Sequence, residues 1–175
     1  KFIAGKDKLY PADEQNDVGF LFNVETRGTY DQLETLGTVA AEGGVGMVFG
    51  RVDFAGSMGR ARDFVNSDEM IEYVCGVAEV AKKHDLDLVV GGGVSPDSIE
   101  PLRRVRAIRL DRFETRKVIF DAAILDGGPV HQGMELAIEF ELLWLKNKRD
   151  FYRTIAAEDE SRIAMMEARQ NAKIA

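Results

Sequence analysis

Two acidic residues follow neighbouring apolar segments of the chain and could act on one ligand. Glu25 comes directly after VGFLFNV at residues 18–24, and Asp53 comes three residues after VGMVFG at residues 45–50. If both runs are parallel strands, the two carboxylates leave the same carboxyl edge, where ligands of α/β proteins bind. Converging carboxylates repel each other unless a cation or a proton lies between them. Their hard oxygen atoms suit Mg²⁺ or Mn²⁺, so Glu25 and Asp53 are the candidate metal ligands.

The same two residues allow other interpretations. The carboxylates could share a proton, or they could form ion pairs with Arg27 or Arg51. Asp53 could also be an ordinary turn residue or a helix cap at the end of a strand. The small residues that follow it, in FAGSMG at residues 54–59, leave room for a ligand under the first interpretation.

The order of elements predicts a parallel α/β fold. Apolar runs at residues 18–24, 45–50, 86–92 and 107–110 are mostly continuous, as strands covered on both faces are. Helical patterns separate them, and the pattern TRKVIFDAAIL at residues 115–125 predicts a helix after the fourth strand. The result is four β/α units, which match half of a (β/α)₈ (TIM) barrel or half of a doubly wound sheet.

Two of the separating helices have clear ends. In residues 66–85, Asn66 or Ser67 is the expected N-cap, and Lys82, Lys83 and His84 lie at the negative C-terminal end. In residues 95–105, Ser95 is the expected cap and Pro96 stands at the first helical position.

The character of the chain changes after Pro129. Residues 129–175 contain no strand pattern and predict two helices, broken near residues 147–150. An apolar stripe on the first helix predicts docking on the sheet unit or on a second subunit; it consists of Met134, Ile138, Leu142 and Leu145. We therefore expect a partial barrel at residues 1–128, a helical extension at residues 129–175, and a homo-oligomer.

Two further segments contain groups that bind anions. GGGVSPDS at residues 91–98 is either a turn that needs glycine or a loop that directs backbone N–H groups at an anion. RLDRFETRK at residues 109–117 is either a salt-bridged helix start or a segment in which Arg112 or Arg116 anchors a carboxylate or phosphate.

Composition excludes some classes of function. The 175 residues carry a net charge of −7, which argues against a nucleic-acid partner. No apolar run is long enough to span a membrane, and we expect a cytoplasmic protein. Cys75 is the single cysteine, which excludes a disulfide within the chain, and it is expected in the core as part of a helical pattern. Neither His84 nor His131 has a nucleophile at the spacing of a hydrolase triad.

The strand-end motifs resemble a known family. FLFNVET and MVFGRVDFAGSMG are similar to the strand 5 and strand 6 motifs of the HpcH/HpaI aldolase and citrate lyase family, with Glu-Thr followed by Gly-x-x-Asp. The resemblance covers roughly residues 18–125 and implies a metal-dependent (β/α)₈ barrel of the phosphoenolpyruvate/pyruvate superfamily, represented by strands 5 to 8. It also implies C-terminal helices that pack across a subunit interface.

The resemblance implies roles for single residues. Glu25 and Asp53 correspond to the metal ligands, and Asn23 to a polar residue that contacts substrate. The small residues that follow correspond to the loop that lets substrate approach the metal; they are Ala55, Gly56 and Ser57. Arg51 and Val52 depart from the family, which usually has a small residue or proline there.

The implied activity is carbon–carbon bond cleavage. We expect a divalent-metal-dependent lyase or aldolase that acts on a 2-oxo acid or an acyl-CoA through an enolate, with Arg51 or Arg112 as the catalytic cation. Phosphoenolpyruvate-type transfer on the same scaffold is one alternative. A non-catalytic half-barrel that serves assembly is the other.

The family's catalytic arginine and histidine base come from early strands and loops. The resemblance begins at the helix before strand 5, so we expect the first half of the barrel to be missing from this chain. Either the chain is a piece of a longer protein or two half-barrels associate. In either case we expect the 175-residue chain alone to be catalytically inactive.

Overall fold

The structure is a computed structural model that describes residues 2–9 and 18–172. The predicted segments 1–128 and 129–175 include residues 1, 10–17 and 173–175, which lie outside the described residues. The described chain forms two compact units, which divide between Ala137 and Ile138.

The first unit is built on a five-stranded sheet in the order β1-β2-β3-β4-β5. Its strands are β1 (Phe20–Val24), β2 (Val45–Gly50), β3 (Leu88–Gly91), β4 (Arg112–Glu114) and β5 (Ile119–Asp121). The first three predicted strands contain β1, β2 and β3, which are parallel to one another. Strand β4 is parallel to β3, and β5 is antiparallel to β4. The sheet formed by the described residues is open, so it does not amount to a closed barrel.

Helices connect the strands. They are α1 (Phe2–Leu9), α2 (Arg27–Tyr30), α3 (Leu33–Glu42), α4 (Arg51–Ser57), α5 (Asp68–Lys83), α6 (Ile99–Arg106) and α7 (Val130–Ala172). Short 3₁₀ turns lie at Arg62–Asn66, Pro96–Ser98 and Ala122–Asp126. None of the described helices combines the length and apolar character needed to cross a bilayer.

One face of the sheet holds the core. Val24, Phe49, Val90 and Phe113 form one row across β1 to β4, and all four are buried with residues of the connecting helices. The opposite face is more open, since Asn23 is exposed and Val48 and Arg112 are partly exposed.

Helix α5 confirms its prediction closely. The Ser67 hydroxyl accepts a hydrogen bond from the Met70 N–H at 3.1 Å, which caps the helix as expected. Its apolar residues on the sheet side are buried, among them Met70, Val74, Val77, Val80 and Ala81. Cys75, expected in the core, is partly buried against it.

The fourth predicted β/α unit is wrong. Residues 107–110 form the turn after α6 instead of a strand, and the strand begins two residues later, at Arg112. Residues 115–125 do not form a helix, because they contain the turn into β5, β5 itself and part of a 3₁₀ turn. The expected β/α repeat therefore ends in an antiparallel hairpin.

The predicted break near residues 147–150 is also wrong, because α7 continues through them. Val130, Met134 and Ala137 of this helix are buried in the first unit. In the second unit, Ile138, Leu142 and Leu145 of the predicted stripe are exposed, with 46%, 49% and 47% of their surface accessible.

Candidate functional site

Glu25 lies at the carboxyl edge of the sheet, one residue beyond β1. The Asn23 side-chain amide donates a hydrogen bond to Glu25 Oε1 at 2.9 Å. The next residue, Thr26, caps α2 by accepting a hydrogen bond from the Thr29 N–H at 3.1 Å. Helix α2 thus begins immediately after Glu25 and fixes the backbone on its C-terminal side, and the Asn23 amide orients the carboxylate.

A row of two glutamates and two glycines crosses this edge. Gly50 pairs with Gly91, and the register of the preceding residues places Glu25 beside Gly50 and Glu114 beside Gly91. A Cβ atom on Gly50 would lie 2.8 Å from Glu25 Oε1, and one on Gly91 would lie 2.8 Å from Glu114 Oε1. Each glutamate therefore leans over the neighbouring glycine, towards the other glutamate.

The register sets the separation of the two carboxylates. Adjacent strands are about 4.8 Å apart, and each carboxylate lies over one of two adjacent strands. The Glu25 and Glu114 carboxylates are therefore separated by roughly one strand spacing, about 5 Å. Both glycines are needed for this arrangement, because any side chain would occupy the space of the carboxylates.

Asp53 lies in a helix and not in the predicted loop. Gly50 is the N-cap of α4, and Asp53 is in its first turn, where a carboxylate interacts favourably with the helix dipole. The alternative interpretation of Asp53 as a turn residue or a helix cap is therefore wrong, because Gly50 is the cap and Asp53 lies inside the helix. Its carboxylate lines a cavity of about 500 Å³ that Glu114 also lines.

The predicted substrate loop is part of the same helix. Ala55 is 1% exposed and belongs to the core, whereas Gly56 is exposed. The Ser57 hydroxyl accepts a hydrogen bond from the Arg27 N–H at 3.1 Å and donates one to the Phe54 carbonyl at 2.7 Å. Ser57 thus joins α4 to the start of α2, which holds the segments that carry Glu25 and Asp53 together.

Arg51 is buried and makes only neutral contacts. Its side chain has no exposed surface, and its guanidinium donates to the carbonyls of Gly91 and Val65, both at 3.3 Å. It also donates to Asn66 Oδ1 at 2.8 Å and Ser98 Oγ at 3.3 Å. Burial lowers the pKa of Arg51 to about 10, so the group remains a cation at neutral pH. These contacts make Arg51 a positioning residue that ties α4 to the end of β3.

Arg112 lies at the amino end of its strand. The expectation that it follows the fourth strand is wrong, because β4 starts at Arg112. Its guanidinium pairs with Asp87 at 2.9 Å, just before β3, and it lines a cavity of about 330 Å³ together with the first residues of β1 and β2. Arg112 therefore belongs to the edge opposite Glu114.

The carboxyl-edge cavity brings together two groups of charged residues. Asp53 and Glu114 are its acidic residues, and Arg62, Arg116 and Lys117 are its basic residues. Gly92 and Gly93 also line it, with positive φ angles of 82° and 69°. Sequence reasoning gave no role to Glu114 or Arg62. Glu114 could have been found as a second strand-end glutamate beside a glycine, whereas nothing local distinguishes Arg62.

The donor atoms at this edge fit a hard divalent cation in type, since they are carboxylate oxygens. Within residues 2–9 and 18–172, however, no group of three or more His, Cys, Asp or Glu side chains could hold a metal ion. A cation here would therefore take at most two His, Cys, Asp or Glu side chains of the described residues as ligands, and Mg²⁺ usually binds through one or two carboxylates.

Comparison with known proteins finds no family model, no curated protein and no solved structure that matches this chain. The resemblance to the HpcH/HpaI aldolase and citrate lyase family therefore rests on its strand-end motifs alone.

Proposed function

We propose that this chain supplies the metal-binding edge of a carbon–carbon lyase of the aldolase and citrate lyase type. The observation that carries the proposal is the row formed by Glu25, Gly50, Gly91 and Glu114, with Asp53 on the cavity beside Glu114. Carboxylate oxygens at the carboxyl edge of a parallel sheet support the proposal, because such enzymes act at that edge. The substrate class is a 2-oxo acid or an acyl-CoA.

In this proposal Glu25 and Asp53 hold Mg²⁺ or Mn²⁺, and Asn23 orients Glu25 through its amide. The bound cation would supply Lewis-acid stabilisation of the enolate formed when the carbon–carbon bond breaks. Glu114 lies within one strand spacing of Glu25, so it can serve as an alternative oxygen donor or hold a proton beside the reacting carbon. Arg51 keeps the end of β3 and the start of α4 in register.

Isothermal titration with Mg²⁺ or Mn²⁺ tests the metal site. We expect Glu25→Gln and Asp53→Asn each to lower the affinity on the order of tenfold or more, since even residues beyond the direct ligands have effects of that size. Glu79→Gln, which removes an exposed carboxylate of α5, is the matched control and should leave the affinity unchanged. Equal affinities in all four proteins would reject the metal site.

Glu114→Gln decides which carboxylate is the second ligand. If Asp53 binds the cation directly, Glu114→Gln should alter the affinity less than Asp53→Asn. The activity is measured as pyruvate or CoA release with Mn²⁺, in the protein that contains this chain. If that protein binds the cation through Glu25 and Asp53 but cleaves no 2-oxo acid or acyl-CoA, the metal site stands and the lyase assignment fails.

A self-association role for the C-terminal helix is part of the proposal. Exposed apolar residues of the second unit lie along α7 at intervals of three, four, seven and eleven; they include Ile138, Leu142, Leu145, Tyr152, Ile163 and Met166. This spacing is typical of helices that pair along an apolar seam. A second copy of the same helix has the matching seam, so we propose a homo-oligomer formed through α7.

A further inference from the structure

Most arginines of the first unit are paired with carboxylates. Within its described residues, seven arginines lie within ion-pair distance of Asp or Glu; they are Arg27, Arg60, Arg103, Arg104, Arg106, Arg109 and Arg112. Arg51, Arg62 and Arg116 have no such partner among the described residues. The chain has 30 acidic and 23 basic residues, so carboxylates are available in excess to pair with every arginine. The location of the three arginines that have no carboxylate partner can therefore indicate a binding site.

Two of the three arginines line one cavity, and the third lies next to a residue of its lining. Arg62 and Arg116 line the cavity of about 500 Å³, and both are exposed. Arg51 lies behind it: its guanidinium donates to the Gly91 carbonyl, and its backbone N–H lies 2.8 Å from the position of a Cβ on Gly92. The cavity thus has two accessible guanidinium groups on its wall and a buried one behind its glycine floor.

Two acidic residues, Asp53 and Glu114, line the same cavity. Glu114 leans over Gly91 towards Glu25, and Asp53 projects from the first turn of α4. Among the described residues, no carboxylate lies within ion-pair distance of Arg62 or Arg116, and this includes the carboxylates of Asp53 and Glu114. The lining of the cavity therefore contains two carboxylates and two arginines that do not pair with each other.

Guanidinium groups that face one cavity repel each other, and an anion between them removes that repulsion. A guanidinium binds a carboxylate or phosphate with two parallel hydrogen bonds, which a lysine cannot do. Positive-φ glycines allow the backbone at Gly92 and Gly93 to approach such a ligand closely. Arg51 adds positive potential from behind without touching the ligand.

We infer that Arg62 and Arg116 bind a second anionic group of the substrate, a carboxylate or phosphate distant from the carbon that reacts. This inference rests on the proposed function, which assigns the cation and the reacting 2-oxo acid or acyl group to the carboxylates of the same cavity edge. It narrows the substrate class to molecules that carry two anionic groups.

The inference is tested by titrating the 175-residue chain, without metal, with succinate and with inorganic phosphate at constant ionic strength. Isothermal titration or NMR chemical shifts report the binding, and propionate is the probe with one carboxylate. We expect Arg62→Gln and Arg116→Gln each to weaken binding about tenfold to a hundredfold, since a charged hydrogen bond contributes about 1.5–3 kcal/mol. Circular dichroism confirms that each variant is folded.

Arg60→Gln is the matched control, because Arg60 is two residues from Arg62 but pairs with Glu69 at 3.3 Å. It should bind the probes as the unaltered chain does. Preference for succinate identifies a carboxylate subsite, and preference for phosphate identifies a phosphate subsite and favours phosphoenolpyruvate-type transfer. Absence of binding to either probe, or equal loss in Arg60→Gln, overturns the inference.

The result of the metal titration is independent of the result of this anion titration. Loss of anion binding in Arg62→Gln with normal metal affinity supports the subsite alone. Normal anion binding in a chain that binds no metal would reject the proposed function and leave the arginine subsite in place.

Discussion

Substituting Gly92 by alanine should be among the most damaging changes at the carboxyl edge. Gly92 has φ 82°, and a Cβ there would lie 2.7 Å from the Val52 nitrogen and 2.8 Å from the Arg51 nitrogen. These are backbone atoms of α4, so they cannot rotate away. The left-handed backbone costs about 1–2 kcal/mol and the overpacking about 1–3 kcal/mol, which gives a total of about 2–5 kcal/mol.

Two other glycines separate the contributions. A Cβ on Gly93, at φ 69°, would meet only side-chain atoms of Val65 and Val52, at 3.4 Å and 3.5 Å. A Cβ on Gly59, also at φ 69°, would have no atom within 4 Å. Both Ala variants should therefore lose only the backbone contribution, about 1–2 kcal/mol.

The assay is urea unfolding of the three Ala variants and the unaltered chain, followed by circular dichroism. A change in midpoint at constant slope reports the free energy of unfolding. The loss of unfolding free energy in Gly92→Ala should exceed the loss in Gly93→Ala and in Gly59→Ala by the overpacking contribution, about 1–3 kcal/mol. Equal losses in all three variants would refute the reasoning, because they would show that α4 does not press against the loop at Gly92.

Three further predictions concern other parts of the chain. Arg51→Met should lower the free energy of unfolding by about 1–3 kcal/mol, because it leaves buried carbonyls without a donor; a more stable variant in urea would contradict this. Arg106 hydrogen-bonds Asp126 and holds the pKa of that carboxyl below its usual range. The stabilisation that this pair gives should be complete above the pKa of Asp126 in the unfolded chain, about 4, and should disappear as the pH falls through the lower pKa in the folded chain. Asp126→Asn should therefore reduce the fall in the free energy of unfolding at acidic pH, and an unchanged fall would refute the pairing. Leu142→Glu should reduce the mass measured by light scattering, whereas Asn147→Glu, on the other side of α7, should not; an unchanged mass in Leu142→Glu would count against the apolar seam.

The sequence predicted elements well where one local pattern decides the structure. Helix α5 has a Ser cap, acidic first turn and regular apolar spacing, and all three features appear in the structure. Both ends of strand β2 were predicted correctly, at Val45 and Gly50. The strand is almost completely buried, so its residues form the continuous apolar run that was recognised in the sequence.

The errors have physical causes. In AIRL, Ala107 is exposed, Ile108 packs against the core and Leu110 is buried in it, all in the segment after α6. The true strand, RFE, has one buried residue between two partly exposed ones. Such a short strand is specified by its neighbours more than by its own sequence. In α7, the polar residues 147–150 are compatible with a helix, and neither proline nor glycine interrupts it.

The sequence predicted the position of two candidate ligands at the edge of the sheet. Glu25 and Asp53 were identified from their positions after strands, and both lie at the carboxyl edge. The burial of Arg51 depends on acceptors at Val65, Asn66, Gly91 and Ser98, which only the folded chain brings together. The row of glutamates over glycines depends in the same way on strand register.

The antiparallel hairpin at the end of the sheet affects how the chain resists forming fibres. Continuous growth of the sheet would require the β5 edge of one molecule to pair with the β1 edge of the next. Strand β5 has three residues against five in β1, so such a junction would gain few backbone hydrogen bonds. Asp121, at the end of β5, would also bring a charge into the junction. Short, charged edge strands are a common protection against edge-to-edge aggregation. The hairpin therefore favours discrete assemblies over open-ended stacking of sheets.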